Sequence, residues 1–483
     1  MGKVDDLYLD KFFKTIEFKD GHYMVEIPWY EDIIKYVPSN HKIALATHFR
    51  VDNKLKQQGL LNDYLEVFEE YEREGIIEEV KVDVSNYENL TWVPHRPIIK
   101  TAEQTKTKIR PVFNCSFKRG DLPSLNMACY PGVDLMASLF KLLLQFRSNQ
   151  FIIVGDIRKA FLQIRLKLES DRNRFCFFLI KNGQIKTYRY TSILFGLAVS
   201  PFILSAITRW HSYKYPPDIS SKVMRENMYV DDLIYSSSSY EEMREVYETT
   251  TQRMREGGFD LCNWNSNHPT LKSLMQRDGK LSPNSLEVGR VLGIQFDTAQ
   301  DTIRLNDVEC GTVSTKRDLL SAISKIFDPL SLYAPVTIRG RILMRQTWEG
   351  KLGWDSPISA ELLAKWEKLH SDILLLKNIS FNRMSFDTDD SNLTLNIFAD
   401  ASVLSYGFSV YVTGVKTKPY ILMAKNKVAP VKGRTLPQLE LLAVFLALKC
   451  LPQILSTFSG VKFIGINIFS DSTITLAWIN NKT

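Results

Sequence analysis

Cysteine is scarce in this chain: six are scattered through 483 residues, with no Cys-x-x-Cys pair and no regular framework. Such usage argues against a disulfide scaffold or a thiolate zinc site and for a reduced intracellular compartment. Long apolar runs are missing too. Gly196 and Pro201 break the run around Leu194, and the stretch from Leu439 to Leu451 is too short to span a bilayer and contains Lys449, so a soluble chain with no membrane partner is expected. The opening Met1-Gly2-Lys3-Val4-Asp5-Asp6 has no hydrophobic signal core, and Asp6 stands where a myristoylation signal wants Ser or Thr. Neither secretion nor lipid anchoring is expected, and the expected location is the cytoplasm. The Asp-Ser/Thr-Gly signature of aspartic proteases is absent, the nearest strings being Asp297-Thr298-Ala299 and Asp471-Ser472-Thr473. A strong charge excess is also lacking: 61 basic against 54 acidic residues leave +7, a surplus that agrees with polyanion binding without demanding it.

What is present is globular, with 45% hydrophobic and 24% charged residues over a length that exceeds one ordinary domain. The most informative stretch is Met228-Tyr229-Val230-Asp231-Asp232-Leu233-Ile234-Tyr235. Apolar and aromatic residues on both sides predict two short strands, which places Asp231 and Asp232 at a tight turn. Adjacent carboxylates there repel unless a cation joins them, and hard divalent ions prefer such oxygens; a solvated Asp-Asp turn is the alternative. Upstream, Phe151-Ile152-Ile153-Val154-Gly155-Asp156 is a β-branched strand that ends in a third acid. Between them, Leu194-Phe195-Gly196-Leu197-Ala198-Val199-Ser200-Pro201-Phe202 gives a glycine turn and a Ser-Pro helix start. In the earlier part of the chain, Tyr64 to Tyr71 offers an amphipathic helical face. Lys106, Lys108 and Arg110 share one face of a predicted strand, suited to a triphosphate or a template backbone, or else to protecting an exposed edge.

The order acid, Gly-Ser-Pro turn, double acid resembles the palm of reverse transcriptases, and Tyr229 to Asp232 match the Tyr-X-Asp-Asp signature of retroelement enzymes. Within that group the chain resembles the BEL/Pao class of long-terminal-repeat retrotransposons. The motifs are Arg110-Pro111-Val112-Phe113-Asn114-Cys115-Ser116, Ser124-Leu125-Asn126, Gly257-Gly258-Phe259, Phe327-Asp328-Pro329-Leu330 and Leu436-Pro437-Gln438-Leu439-Glu440-Leu441. The resemblance implies a polymerase of RNA and DNA templates whose Asp156, Asp231 and Asp232 hold two magnesium ions, with manganese as the alternative. The Ile157 carbonyl completes one ion's shell. Lys108, Arg110, Phe161, Phe195 and Tyr229 become the nucleotide-binding set: Arg110 grips the nucleotide, Phe161 excludes a ribose 2′-hydroxyl or is an ordinary core residue, and Phe195 supports template and nucleotide by packing. Implied partners are an RNA template, a DNA primer, an RNA–DNA hybrid and deoxynucleoside triphosphates, in the cytoplasm or in virus-like particles, in an oligomeric state the sequence does not reveal. Asn263-Trp264 stands where the family carries Lys-Trp, which takes away a lysine proton donor, and Leu292-Gly293-Ile294 resembles a primer-gripping turn.

A second set of acids follows. Asp400 ends the strand-like Asn396-Ile397-Phe398-Ala399, Glu440 opens the apolar helix through Leu448, and Asp471 ends Ile466-Asn467-Ile468-Phe469-Ser470. Their order resembles ribonuclease H, which implies two further metal ions at Asp400, Glu440 and Asp471. A fourth carboxylate of that family has no counterpart after Asp471, so an incomplete domain with uncertain cleavage of hybrids is expected, and no integrase region fits. The expected class is α+β, with fingers, palm and thumb, then a connection and a truncated ribonuclease H-like α/β domain. The expected division is a lead-in over 1–85, fingers and palm over 86–240, end of palm and thumb over 241–300, helical connection over 301–390 and ribonuclease H-like domain over 391–483. Trp348, Trp354 and Trp366 are expected to anchor the connection's core. The rival reading is a catalytically inactive retroelement-derived protein that binds nucleic acid or serves a structural role.

Overall fold

A computed structural model describes residues 3–102, 105–283, 288–387, 390, 392–458 and 460–481. They fall into two compact units, one made of residues 1–136, 156–231 and 248–261, the other of 137–155, 232–247 and 262–483.

In the first unit the amphipathic segment around Tyr64 forms the helix Leu61–Arg73 and buries Tyr64 and Phe68. Phe68 meets Phe177 at 5.4 Å between ring centroids, Phe113 meets Phe177 at 5.1 Å, and Phe113 meets Tyr190 at 4.9 Å. Phe113 ends an antiparallel hairpin of His95–Ala102 with Thr105–Phe113, in a register that sets Ile98 opposite Arg110. Two histidines are sealed beneath it. His95 Nδ1 accepts from the Tyr64 hydroxyl at 2.7 Å while its Nε2 donates to the Phe178 carbonyl at 3.0 Å. His48 Nε2 accepts from Ile180 N–H at 3.0 Å. Burial pulls the His48 pKa down to about 4, and burial with the neighbouring His48 pulls His95 to about 3.

The four-stranded sheet of order Met228–Tyr229, Asp232–Ser237, Phe151–Ile157, Leu261–Ser266 follows the predicted hairpin and acid-ended strand. Ser200–Ser212 is a helix with Pro201 in its first turn, as the Ser-Pro pair predicts. Tyr240–Glu256 ends where Gly258 takes φ +80°; a Cβ there would lie 2.3 Å from the Gly21 carbonyl oxygen, so the position admits only glycine.

In the second unit the helices Lys316–Ser324, Ala334–Glu349 and Ala360–Leu375 enclose Leu319, Ala322, Leu343, Trp366, Leu369 and Ile373. Trp366 is a core anchor as expected, but Trp348 and Trp354 are 53% and 40% exposed. They serve a cation instead: the buried Lys316 ammonium lies 3.4 Å and 5.1 Å from their ring centroids and donates to the Leu352 carbonyl at 3.0 Å. An indole face stabilises an ammonium that burial has stripped of water. The strands of a mixed sheet run in the order Tyr420–Val428, Ser405–Thr413, Leu393–Ala401, Phe463–Phe469, the last pair parallel. Leu393, Leu395, Ile397 and Ala399 alternate onto its buried face, where the helix Leu436–Thr457 packs through Leu439, Ala443, Ala447, Cys450 and Ile454. That helix starts ahead of Glu440, because Thr435 and Gln438 form a capping box and Pro437 sits in the first turn. At 22 residues it is long and apolar enough to cross a membrane, which corrects the expectation that no segment reaches that length; the sheet it covers accounts for the apolarity of its inner face.

Two arginines of this unit are fully buried. Arg147, just past the helix Leu139–Phe146, donates Nε to the Arg383 carbonyl at 3.0 Å and Nη2 to those of Ile421 at 3.0 Å and Asn382 at 3.3 Å, with Nη1 on the Leu422 carbonyl. Arg383 returns the contact through the carbonyls of Phe146, Asn149 and Gln150 at 2.6, 2.8 and 2.8 Å, and pairs with Asp301 at 2.6 Å.

Replacing Arg147 by Met strands these carbonyls, so we expect a loss of at least about 3 kcal/mol, read as a lower urea midpoint, with Arg147→Lys nearly as damaging. An unchanged midpoint would contradict the anchoring role. The histidines generate a pH prediction. With folded pKa values below the unfolded 6.5, only the unfolded chain gains these protons as pH falls from 6.5 towards 4, so stability drops by about 1.4 kcal/mol per pH unit for each histidine. His48→Gln, which keeps an acceptor for Ile180 N–H, should flatten melting temperature against pH in that window by about one proton's worth; an identical slope would show that His48 is not the titrating group.

Candidate functional site

Asp156 is the penultimate residue of the strand Phe151–Ile157, and its neighbour Gly155 explains the strand's placement. A Cβ on Gly155 would lie 2.8 Å from the indole of Trp264, which is fully buried. Only glycine allows that approach. The turn linking Met228–Tyr229 to Asp232–Ser237 carries Val230 at φ +57°, a left-handed conformation that is rare for a β-branched residue and concentrates at functional sites. Ile157 N–H donates to the Asp231 carbonyl at 2.9 Å, which fastens the turn to the acid-ended strand.

Asp231 is half-buried, and burial raises its pKa, the Asp156 charge raises it further, and the Arg110 guanidinium pulls it back. The sequence-predicted Asp156, Asp231 and Arg110 are thus within electrostatic reach of one another. Arg110 is exposed on the hairpin, while the side chains of Lys106 and Lys108 lie outside the described residues. Asp232 is the half-buried first residue of its strand, and Tyr229 is half-buried before the turn. Among the described residues no group of three acidic, histidine or cysteine side chains converges as a ready metal site. The Asp156–Asp231 pair still suits a hard divalent cation in its chemistry: it supplies oxygen donors only, partly stripped of water and mutually repelling.

Phe161 is buried beside Phe195, at 4.9 Å between ring centroids, whereas Phe195 itself is 41% exposed. Gly196 follows at φ +102°, where a Cβ would lie 2.4 Å from the Phe113 carbonyl oxygen. Asn126, from the Ser124-Leu125-Asn126 motif and without a predicted role, braces this turn: its Nδ2 donates to the Gly196 carbonyl at 2.9 Å and its Oδ1 accepts from Ala198 N–H at 2.8 Å. Lys159, also without a predicted role, donates to Glu70 at 2.7 Å and to Glu74 at 2.8 Å. Their only sequence signal was proximity to the acids and aromatics. Asn263 is exposed at φ +50°. Leu292 and Gly293, at φ +46° and +86°, turn the hairpin of Val288–Val291 with Ile294–Asp297, and a Cβ on Gly293 would lie 2.7 Å from Phe327.

Of the second set of acids, Asp400 and Asp471 are exposed at the same end of neighbouring parallel strands, each two residues past the paired Phe398 and Phe469. Asp400 also lines a groove of about 590 Å³ with Ser402, Tyr406 and Asn426. Glu440 is half-buried in the second turn of its helix.

Residues 98–263 match the family described as reverse transcriptase (RNA-dependent DNA polymerase), and residues 315–472 match the Pao retrotransposon-like RNaseH-like domain. The two matches define the class, a reverse transcriptase region followed by a ribonuclease H-like region. Residues 315–472 are thus similar to the ribonuclease H-like domain of Pao retrotransposons. No curated protein matches it. Among solved structures it is similar to the foamy viral protease-reverse transcriptase dRH in complex with double-stranded DNA, with a TM-score of 0.54 and 13% identity over 86% of this chain and 64% of that one. It is also similar to the foamy viral protease-reverse transcriptase in complex with an RNA/DNA hybrid, with a TM-score of 0.55 and 13% identity over 100% of this chain and 58% of that one. At this identity the likeness shows the fold, and the chain spans about three fifths of the length of these two relatives.

Gly155→Ala should cost about 1–3 kcal/mol by overpacking against Trp264 and should lower the melting temperature, with partial recovery when combined with Trp264→Phe. A Gly155→Ala protein as stable as wild type would show that the strand shifts freely at this point.

Proposed function

We propose that the chain is an RNA- and DNA-templated DNA polymerase that uses magnesium, or manganese, at Asp156, Asp231 and Asp232. The observation that carries this reading is the strained Val230 turn, tied by the Ile157 N–H to the strand of Asp156, with Asp231 feeling the charges of both Asp156 and Arg110. Bound divalent ions would lower the pKa of the attacking hydroxyl and stabilise the leaving pyrophosphate. The chain's own residues supply the rest. Asp231, held by the Ile157 N–H, and Asp156 concentrate negative charge at one point; Arg110 offers an exposed guanidinium suited to a triphosphate; and the Phe161 ring, backed by Phe195, presents an apolar wall to the sugar.

An RNA template, a DNA primer and deoxynucleoside triphosphates are the partners this arrangement suits, in the cytoplasm or in virus-like particles. The ribonuclease H-like region would engage the RNA strand of an RNA–DNA hybrid through Asp400, Glu440 and Asp471. The rival, an inactive nucleic-acid-binding protein, predicts binding without synthesis.

The test is primer extension on an RNA template with magnesium, for wild type and Asp231→Asn. We expect synthesis by the wild type, at least a 100-fold loss in the variant (~2.7 kcal/mol) and primer-template binding within about twofold of wild type, because the phosphate contacts remain. Binding without any extension by the wild type would favour the rival, and extension by Asp231→Asn would remove the assignment.

A further inference from the structure

We propose that Lys159 and the acidic end of the Leu61–Arg73 helix form a clamp that positions Phe161 and thereby sets discrimination between deoxyribose and ribose. This rests on the reading of Phe161 as the residue that meets the incoming sugar.

Lys159 sits between the acid and the aromatic in Asp156-Ile157-Arg158-Lys159-Ala160-Phe161. Its backbone is left-handed, at φ +50°, a conformation an L-residue keeps only when its surroundings hold it. The holding contacts come from one helix end. Lys159 Nζ donates to Glu70 Oε1 at 2.7 Å and to Glu74 Oε1 and Oε2 at 2.8 and 2.9 Å, and lies 5.4 Å from the Tyr71 ring centroid. The Lys159 hydrogen bond holds the Glu70 carboxyl below its ordinary range. Meanwhile the Lys159 carbonyl accepts from Leu162 N–H at 2.8 Å, closing the short 3-10 turn Ala160–Gln163 that carries Phe161.

The far side of that turn returns to the same place. Arg165 donates to the carbonyls of Glu74 at 2.8 Å and Gly75 at 2.6 Å, and to Ser192 Oγ at 2.6 Å. The residues on both sides of Phe161 are therefore tied to the end of one helix. Ahead of them, Ile157 and Arg158 are fixed through the Asp231 and Asp260 carbonyls, each at 2.9 Å. Backbone hydrogen bonds thus hold the chain next to the acids, while the Lys159 and Arg165 side chains tie down the turn that carries the aromatic. Loosening the ion pairs should move the ring and leave the acids in place, which makes Lys159 a positioning residue whose loss appears in sugar selection rather than in catalysis as a whole.

The experiment measures single-nucleotide incorporation by the full chain on a fixed primer-template with deoxyribonucleotide and ribonucleotide, for wild type, Lys159→Met, Lys159→Arg, the double variant Glu70→Gln with Glu74→Gln, and Phe161→Val. We expect Lys159→Met and the double variant to raise relative ribonucleotide use by about 3- to 10-fold, mostly through the KM of the deoxyribonucleotide, with primer-template binding unchanged. Lys159→Arg, which keeps the ion pairs, should select like wild type. Relaxed selection in Phe161→Val with wild-type selection in both clamp variants would overturn the clamp and leave the reading of Phe161 intact. So would clamp variants that lose only thermal stability. Unchanged selection in Phe161→Val would overturn both.

Discussion

Arg147 and Arg383 place two guanidinium groups in fully buried space, and among the described residues only Arg383 has a carboxylate partner. Burial lowers the Arg147 pKa to about 10, leaving it protonated at neutral pH. A charge removed from water is tolerated only when its donors are met, and here backbone carbonyls meet them. The carbonyls that hold Arg147 belong to residues 382, 383, 421 and 422, and those that hold Arg383 to residues 146, 149 and 150. Each arginine thus closes the segment that carries the other. Neither segment can shift without stranding donors on both sides, and arginine's fixed fork makes the junction directional in a way that an apolar contact is not.

That junction is where the strand leading to the acids begins. Gln150 is held by Arg383, Ile152 N–H donates to Asn267 Oδ1 at 3.0 Å, and the Ile152 carbonyl accepts from Ser266 Oγ at 2.6 Å. Gly155 then meets the Trp264 indole, and the next residue is Asp156. The strand up to Gly155 is held by a succession of satisfied polar groups and one close packing contact.

Much of this arrangement was legible in the sequence because it is local. The Asp-Asp turn, the acid-ended strand and the Ser200-Pro201 helix start each depend on a few neighbouring residues whose backbone preferences agree. What could not be read depends on distant partners. Nothing near Arg147 in the chain indicates that its donors reach residues more than 230 positions away. Trp348 and Trp354 look like core residues until the buried Lys316 between them is known. The helix beginning at Leu436 was misplaced for the opposite reason: its first turn is polar and proline-bearing, so apolar periodicity marked only the middle, although Thr435 and Gln438 already spelled a capping box.

The two sets of acids also differ physically, and the difference bears on how each would engage a cation. Asp231 is half-buried, with a pKa raised by its surroundings and by Asp156, so proton and cation compete for the same oxygens. Lowering the pH favours the proton, and cation binding there should carry a pH dependence. Asp400 and Asp471 are exposed; water and salt screen them, and they can stay apart at little cost. A pair that is uncomfortable when empty gains more from a cation than a pair already at ease in water.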